Sequence, residues 1–367
     1  MKTIDVETLR MWLEEGRPVT VLDVRPAAER EEWAIPGSIH VDAYDALQVH
    51  DPGALAGVAL PEDRPVVTVC AAGRTSLIAA ELLQARGIQA RSLEGGMKAW
   101  SLAWNVAEVP LAGSQARVIQ VRRTGKGCLS YLIGDGNTAV VIDASLDPHI
   151  YLDLAHRYGW RIERVLDTHI HADHLSRSRQ LAQVSGATLL LPDQTRISFP
   201  FIPIHDGDRL EIGSATLTAL RTPGHTPEST CYLLDQRVLL TGDTLFLTGV
   251  GRPDLAADAD EVSHRASELY TSLRTLLALP PETIVLPGHT ATSVAFDSDP
   301  IASTLADIEE QVEVIHTARE VFIQQILARI PPTPPNYERI VKLNEEGVLP
   351  AYDLTELEAG ANRCAIS

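Results

Sequence analysis

Two different patterns of apolar and polar positions divide the chain. Over residues 1–107 short apolar runs alternate with amphipathic stretches, as strands and helices do when they take turns in a parallel α/β sheet. Residues 19–24 and 65–69 are the clearest strands. Residues 75–86 place Leu77, Ile78, Leu82 and Leu83 on one helical stripe, which Gly87 ends. Pro110 and Gly113 mark a linker at 108–115. Beyond it the strands come first as a meander: 117–121, then 129–133, turned at Asp135 and Gly136 into 138–143. Helices are expected at 148–159 and at 261–279, where Leu269, Leu273, Leu276 and Leu277 share a face. Further strands are expected at 164–167, 216–220, 237–240 and 283–286. A helical extension at 301–367, with a helix around 313–330 stopped by a proline run at 331–335, is expected to pack on a second domain spanning 116–300.

A chain of 367 residues exceeds what one core supports, so two domains are expected. The net charge of −18 argues against nucleic acid as a partner, because a phosphate backbone calls for a basic surface. Neither a long apolar run nor an apolar N-terminal segment is present, which reads as a cytoplasmic protein without a membrane partner. A homodimer is compatible with the chain. Cys70, Cys128, Cys231 and Cys364 are scattered without Cys-x-x-Cys spacing, so neither a disulfide framework nor a structural zinc site is suggested.

The chemistry concentrates directly after the strand at 164–167, where His169, His171, Asp173 and His174 fall within six residues. Neutral imidazoles and carboxylates suit a borderline or hard transition metal, and a strand end feeding a loop lets side chains converge. Taken alone the cluster could be a solvated loop or a capping network, though a metal site is the better reading. The same residue types recur, however, at three later strand ends: His225, Asp243 and His289, each beside a glycine that permits a tight turn. This ordered set, His-x-His-x-Asp-His followed by His, Asp and His, resembles the metallo-β-lactamase superfamily, which implies an αββα sandwich. His40, His50, His149, His156, His205, His264 and His316 belong to no ligand-spaced group and read as surface or core residues.

In the first domain Cys70 sits between the strand at 65–69 and the helix at 75–86. Loop amides and the positive end of that helix would lower its pKa and cradle an anion. A small buried residue closing a strand is the alternative. The surroundings, Asp23 and Arg25 with Glu29 and Glu32, residues 35–40, and residues 95–100, resemble a rhodanese domain. That resemblance implies that Cys70 carries sulfane sulfur as a persulfide and that Arg74 helps hold the anionic sulfur donor.

Two readings of the metal site compete. Resemblance to the persulfide dioxygenases rests on residues 168–174, 222–226, 241–244 and 249–255, and also on the tail segments 335–337 and 361–364. It implies one Fe(II) per chain held by His169, His225 and Asp243, with His171, Asp173, His174 and His289 orienting the ligands. Arg252 would bind a carboxylate of the substrate, or else form a structural salt bridge with Asp254 or Asp243. The reaction would convert a thiol persulfide, such as glutathione persulfide, with O2 and water into sulfite and thiol, while Cys70 exchanges sulfur with a sulfane-sulfur donor and the same thiol. Cys364 would be structural. The alternative is a hydroxyacylglutathione hydrolase like glyoxalase II, with two zinc ions shared among all seven ligands and a noncatalytic rhodanese module.

Overall fold

The structure, a computed structural model, describes residues 2–366 apart from 112, 352 and 361, so Ala361, the first residue of one tail segment, lies outside it. Val66–Val69 is buried at every position, as a strand with a covered layer on each face must be. It is the middle strand of a parallel sheet in the order Thr3–Ile4, Ala90–Leu93, Val66–Val69, Thr20–Asp23, Ile39–His40. Alternate side chains serve opposite cores: Leu22, Val66 and Leu83 pack on one side, Val21, Val67, Val69 and Trp100 on the other. The α/β pattern expected for the N-terminal part is therefore what forms, with helix Arg74–Ala85 close to its expected span.

The remainder is a sandwich. One seven-stranded sheet runs from Ile202–Ile204 at its edge through Arg161–Leu166 and Cys128–Asp135 to Asn105–Val109. The other, six-stranded, includes Ala215–Arg221, Thr230–Leu234, Val238–Gly242 and Ile284–Pro287. Val118, Tyr131, Val140 and Leu166 of the first face Leu217, Tyr232, Leu240 and Leu286 of the second. Helix Pro148–Arg157 covers one outer face through Tyr151 and Leu154; helix Ala259–Leu276 covers the other through Leu269 and Leu273. This is the αββα order.

Three expectations change. Asn105–Val109, assigned to the end of the first domain and the start of the linker, is an edge strand paired antiparallel with Arg117–Arg123. Its period of two explains why: Asn105, Ala107 and Val109 are buried, and Glu108 is exposed. The expected helix at 313–330 splits into a 3₁₀ turn at Glu313–His316 and a helix at Arg319–Ala328, with Thr317 and Ala318 extended between them. The C-terminal extension is only partly helical, because Ala365–Ile366 returns as a strand against Val250–Gly251.

That extension is tied to the sandwich by charge as well as by apolar contact. Glu358 is fully buried, 2.7 Å from Arg123 and 3.1 Å from Arg177, and accepts the Leu175 amide at 2.9 Å. Burial alone would push its carboxyl up, but the two guanidiniums outweigh it and hold the pKa at about 2, against 4.5 for an unperturbed glutamate. The folded value is depressed, so this stabilisation is complete above about pH 4.5 and is lost as the pH falls toward 2. A shift of that size corresponds to about 3 kcal/mol. Glu358→Gln is expected to lower stability near neutral pH by about 3 kcal/mol or more, since it leaves buried guanidinium charge unpaired. It should also flatten the acid limb of the stability curve, as read by urea unfolding across that window.

Candidate metal centre

His169, His225 and Asp243 reach the site from three strand ends, and each is pinned by its outer atom. Asp143, in a left-handed conformation (φ 57°) at the end of Thr138–Ile142, accepts the Thr168 amide at 2.7 Å and the Thr168 hydroxyl at 2.9 Å. With its proton committed to Asp143, the hydroxyl can only accept from His169 Nδ1, 2.9 Å away. His225 Nδ1 donates to the Arg252 carbonyl at 2.8 Å. Both imidazoles are thereby fixed with the Nε2 lone pair free, the tautomer a metal requires. Asp243 Oδ1 accepts from His289 Nδ1, which leaves Oδ2.

The three inner atoms face one another. Asp243 Oδ2 is 3.8 Å from His169 Nε2 and 3.6 Å from His225 Nε2, and all three lie within 4.8 Å of each other. All three residues are buried, and neither His169 Nε2 nor Asp243 Oδ2 has a hydrogen-bond partner. Such orphaned buried atoms are costly unless something binds them, and a cation accepting two neutral nitrogens and one carboxylate oxygen does so. Burial, with His171 and His225 adding to it, holds the His169 pKa well below its usual value; burial likewise lowers that of His225. His289, with His169 and His225, overcomes burial to keep Asp243 ionised. Gly242 permits the approach, since a Cβ there would lie 2.5 Å from Thr168 Oγ1.

The other expected residues stand alongside, and of these His171 Nδ1 and His174 Nε2 are likewise buried without a hydrogen-bond partner. Asp173 Oδ1 is 3.0 Å from His174 Nδ1; Asp173 Oδ2 is 2.9 Å from His289 Nε2 and accepts from Asn362 Nδ2 at 3.0 Å. His289 thus spans two carboxylates, which overcome burial and raise its pKa well above normal. Cys128 adds a sulfur 3.4 Å from Asp173 Oδ2, forming with Asp173, His174 and His289 a second group of metal-competent atoms. His171 turns its Nε2 to Asp143 at 3.2 Å, in a group with Asp143 and Asp167.

Comparison with known proteins agrees with this architecture. The rhodanese-like domain matches residues 5–103, and the metallo-beta-lactamase superfamily matches 123–197 and 189–289. The hydroxyacylglutathione hydrolase of Rhizobium johnstonii is 32% identical over 191 residues, 48% of this chain and 71% of that protein. The chain belongs to the metallo-β-lactamase superfamily. The hydrolase of the same name from Methylococcus capsulatus is also 32% identical, over 53% of this chain and 75% of its own length. Among solved structures, ETHE1 from Myxococcus xanthus superposes with a TM-score of 0.55 at 30% identity, covering 62% of this chain and 97% of that one. A metallo-beta-lactamase from Staphylococcus aureus gives 0.60 at 26%, covering 65% and 76%. Among the described residues no helix is long and apolar enough to cross a membrane.

Within this superfamily domain several positioning groups had no motif to announce them. Asn344 donates to the carbonyls of His171 (2.8 Å) and His174 (2.9 Å) and accepts the Ser176 amide (2.9 Å), clamping the histidine loop from helix Tyr337–Glu346. Asn362 holds Asp173, and Cys364 joins Asp243 and His289 in a further group of candidate donors. In the N-terminal domain Cys70 is buried, its sulfur accepting the Ser76 hydroxyl at 3.3 Å, while Arg74 opens the following helix as an exposed residue.

Of the two roles expected for Arg252, the structure shows the salt bridge with Asp254. Its side chain is wholly buried, with Nε and Nη2 on Asp254 at 2.8 and 2.7 Å and the remaining donors on the carbonyls of Pro331, Pro332 and Arg363. With its donors engaged, it has none to offer a substrate carboxylate; what it gives the site is the backbone carbonyl that orients His225. Arg252→Ala is accordingly expected to destabilise the fold by about 3 kcal/mol or more, through the unpaired Asp254 and orphaned carbonyls. Thermal unfolding would read this; a raised KM at unchanged stability would restore the substrate-binding role.

Proposed function

We propose that the chain is a non-haem iron persulfide dioxygenase with a linked rhodanese sulfurtransferase activity. The observation that carries this reading is the face formed by His169 Nε2, His225 Nε2 and Asp243 Oδ2. Two neutral imidazoles and one carboxylate on one side of a single ion leave its other positions open, the donor set associated with Fe(II) oxygenases. The overall reaction balances as R–S–SH + O2 + H2O giving R–SH, sulfite and two protons, with glutathione persulfide as the substrate. When bound, Fe(II) supplies the redox chemistry with O2. The protein's own groups do the rest. Thr168 and the Arg252 carbonyl fix the two imidazoles, while His289, between Asp243 and Asp173, holds a proton that keeps Asp243 Oδ2 turned inward. Burial of all three donors strengthens their interaction with a bound ion.

In the N-terminal domain the Cys70 thiolate would take a sulfane sulfur from a donor and pass it to a thiol, making the substrate that the iron site consumes. Arg74, at the start of the helix after the loop, would steer the anionic donor.

A second reading is favoured by the names of the relatives and by the unpartnered His171 Nδ1 and His174 Nε2: a hydroxyacylglutathione hydrolase using two zinc ions, in which His171, Asp173, His174 and His289 join the ligands. It requires Asp173 and His289 to give up the bonds they make to each other and to Asn362. That cost is why the single-ion reading is preferred.

Asp243→Ala is expected to abolish metal binding and O2 uptake while leaving sulfur transfer intact. Cys70→Ser is expected to abolish sulfur transfer and spare O2 uptake on supplied glutathione persulfide. Metal analysis, an oxygen electrode and a thiosulfate-dependent transfer assay read these outcomes; O2 uptake by Asp243→Ala would remove it from the ligand set.

A further inference from the structure

Two spaces of different size border the candidate metal centre. One, of about 160 Å³, touches His289 beside Phe246, Thr290 and Asn362. The other, of about 30 Å³, touches His169 and His171, and its walls are mostly apolar. Leu189 and Leu191, two apart on strand Thr188–Pro192, present one face to it. Phe199, from the segment after that strand, and Leu343, on helix Tyr337–Glu346, line it with Leu349. The left-handed Gly347 (φ 63°) that ends this helix lets Phe199 close in, since a Cβ there would lie 2.4 Å from the ring's Cδ1. Val348, half-exposed, stands at the outer end.

We infer that the narrow cavity is the passage by which O2 reaches the metal centre, separate from the space that receives the thiol persulfide. The inference rests on the dioxygenase reading and specifies how its smaller reactant arrives. Size excludes glutathione persulfide, because sites for ligands of that class run from about 300 Å³ upward, whereas this cavity holds about two water-sized molecules. Charge excludes it as well. Among the described residues the wall carries Asp167, Arg179 and Glu228, and each is committed. Asp167 accepts from Ser176 and Ser178, and Glu228 from the Ile170 amide at 2.9 Å and from Arg196. Arg179 donates to the Gly347 carbonyl at 2.7 Å and lies 4.5 Å from the Phe199 ring. No guanidinium or ammonium is left for the carboxylates of a peptide thiol. O2 asks for neither charge nor hydrogen bonds, and a small apolar molecule enters apolar space as xenon enters a dry cavity.

The inner end of the cavity is His169, whose Nε2 is one of the three facing donors. A gas molecule leaving the cavity there arrives beside the metal centre without crossing the larger space at His289. Gln194, on the side wall, leaves its buried Nε2 unpartnered, but this is a neutral amide and supplies no charge for a carboxylate. The larger space is thereby left to the persulfide, and neither reactant has to displace the other.

The first test needs no metal: methyl NMR of the metal-free full chain under O2 pressure, in which dissolved O2 is a paramagnetic probe of the space it enters. Relaxation of the Leu191, Leu343 and Leu349 methyls is expected to be enhanced several-fold more than that of Val118 and Leu240 in the sandwich core. The second uses the iron-loaded enzyme. Val348→Trp, at a half-exposed position where the fold accommodates a larger side chain, is expected to raise KM for O2 about five-fold or more and to leave KM for glutathione persulfide unchanged. Equal relaxation of cavity and core methyls, an unchanged KM for O2, or a raised KM for glutathione persulfide would overturn the inference. A wild-type chain that takes up no O2 would instead overturn the dioxygenase reading beneath it, whatever the methyls show.

Discussion

Three donor atoms are held facing one another because the far side of each group is already committed. His169 cannot turn, since Thr168 Oγ1 accepts from its Nδ1 and is itself bound to Asp143; His225 is held by a backbone carbonyl, and Asp243 by His289. The inner His169 Nε2 and Asp243 Oδ2 are left as buried polar atoms without a partner, whose desolvation a cation offsets. Much else follows from this constraint: the left-handed turn at Asp143, the glycine at 242, the buried bridge of His289 between two carboxylates.

The C-terminal extension completes the arrangement from outside. Asn344, Glu358 and Asn362 bond to the loop that carries the histidines or to Asp173 within it, and Glu358 does so as a buried ion shared with Arg123 of the sandwich. Lys98 and Glu32 of the N-terminal domain meet Glu356 and Arg363 of the same extension. One segment therefore touches both the N-terminal domain and the surroundings of the candidate metal centre.

The candidate donors were legible because each stands at a strand end with a glycine or a neighbouring candidate, a pattern that survives translation into one dimension. The two layer patterns were legible for the same reason: period two in the strands, 3.6 in the helices. Asn344, Glu358 and Asn362 were not, because their role depends on where a helix lands more than 160 residues along the chain from its target, as with Asn344 and His171. For Arg252 the sequence left two roles open, a substrate fork or a salt bridge with Asp254 or Asp243. Its position after Asp243 suggested a substrate fork, but only the packed structure shows Asp254 and three carbonyls occupying its donors. Asn105–Val109 was assigned to a domain end because Pro110 and Gly113 follow it, while its own alternation, paired against Arg117–Arg123, makes it a strand.

One metal with open positions and two metals sharing a hydroxide are the alternatives for the site. Metal content of anaerobically purified protein, measured together with O2 consumption on adding glutathione persulfide, tests this most directly. About one iron per chain, with O2 uptake and release of sulfite, is the predicted result. Two zinc ions per chain with no O2 uptake, and turnover of a hydroxyacyl thioester of glutathione instead, would contradict it.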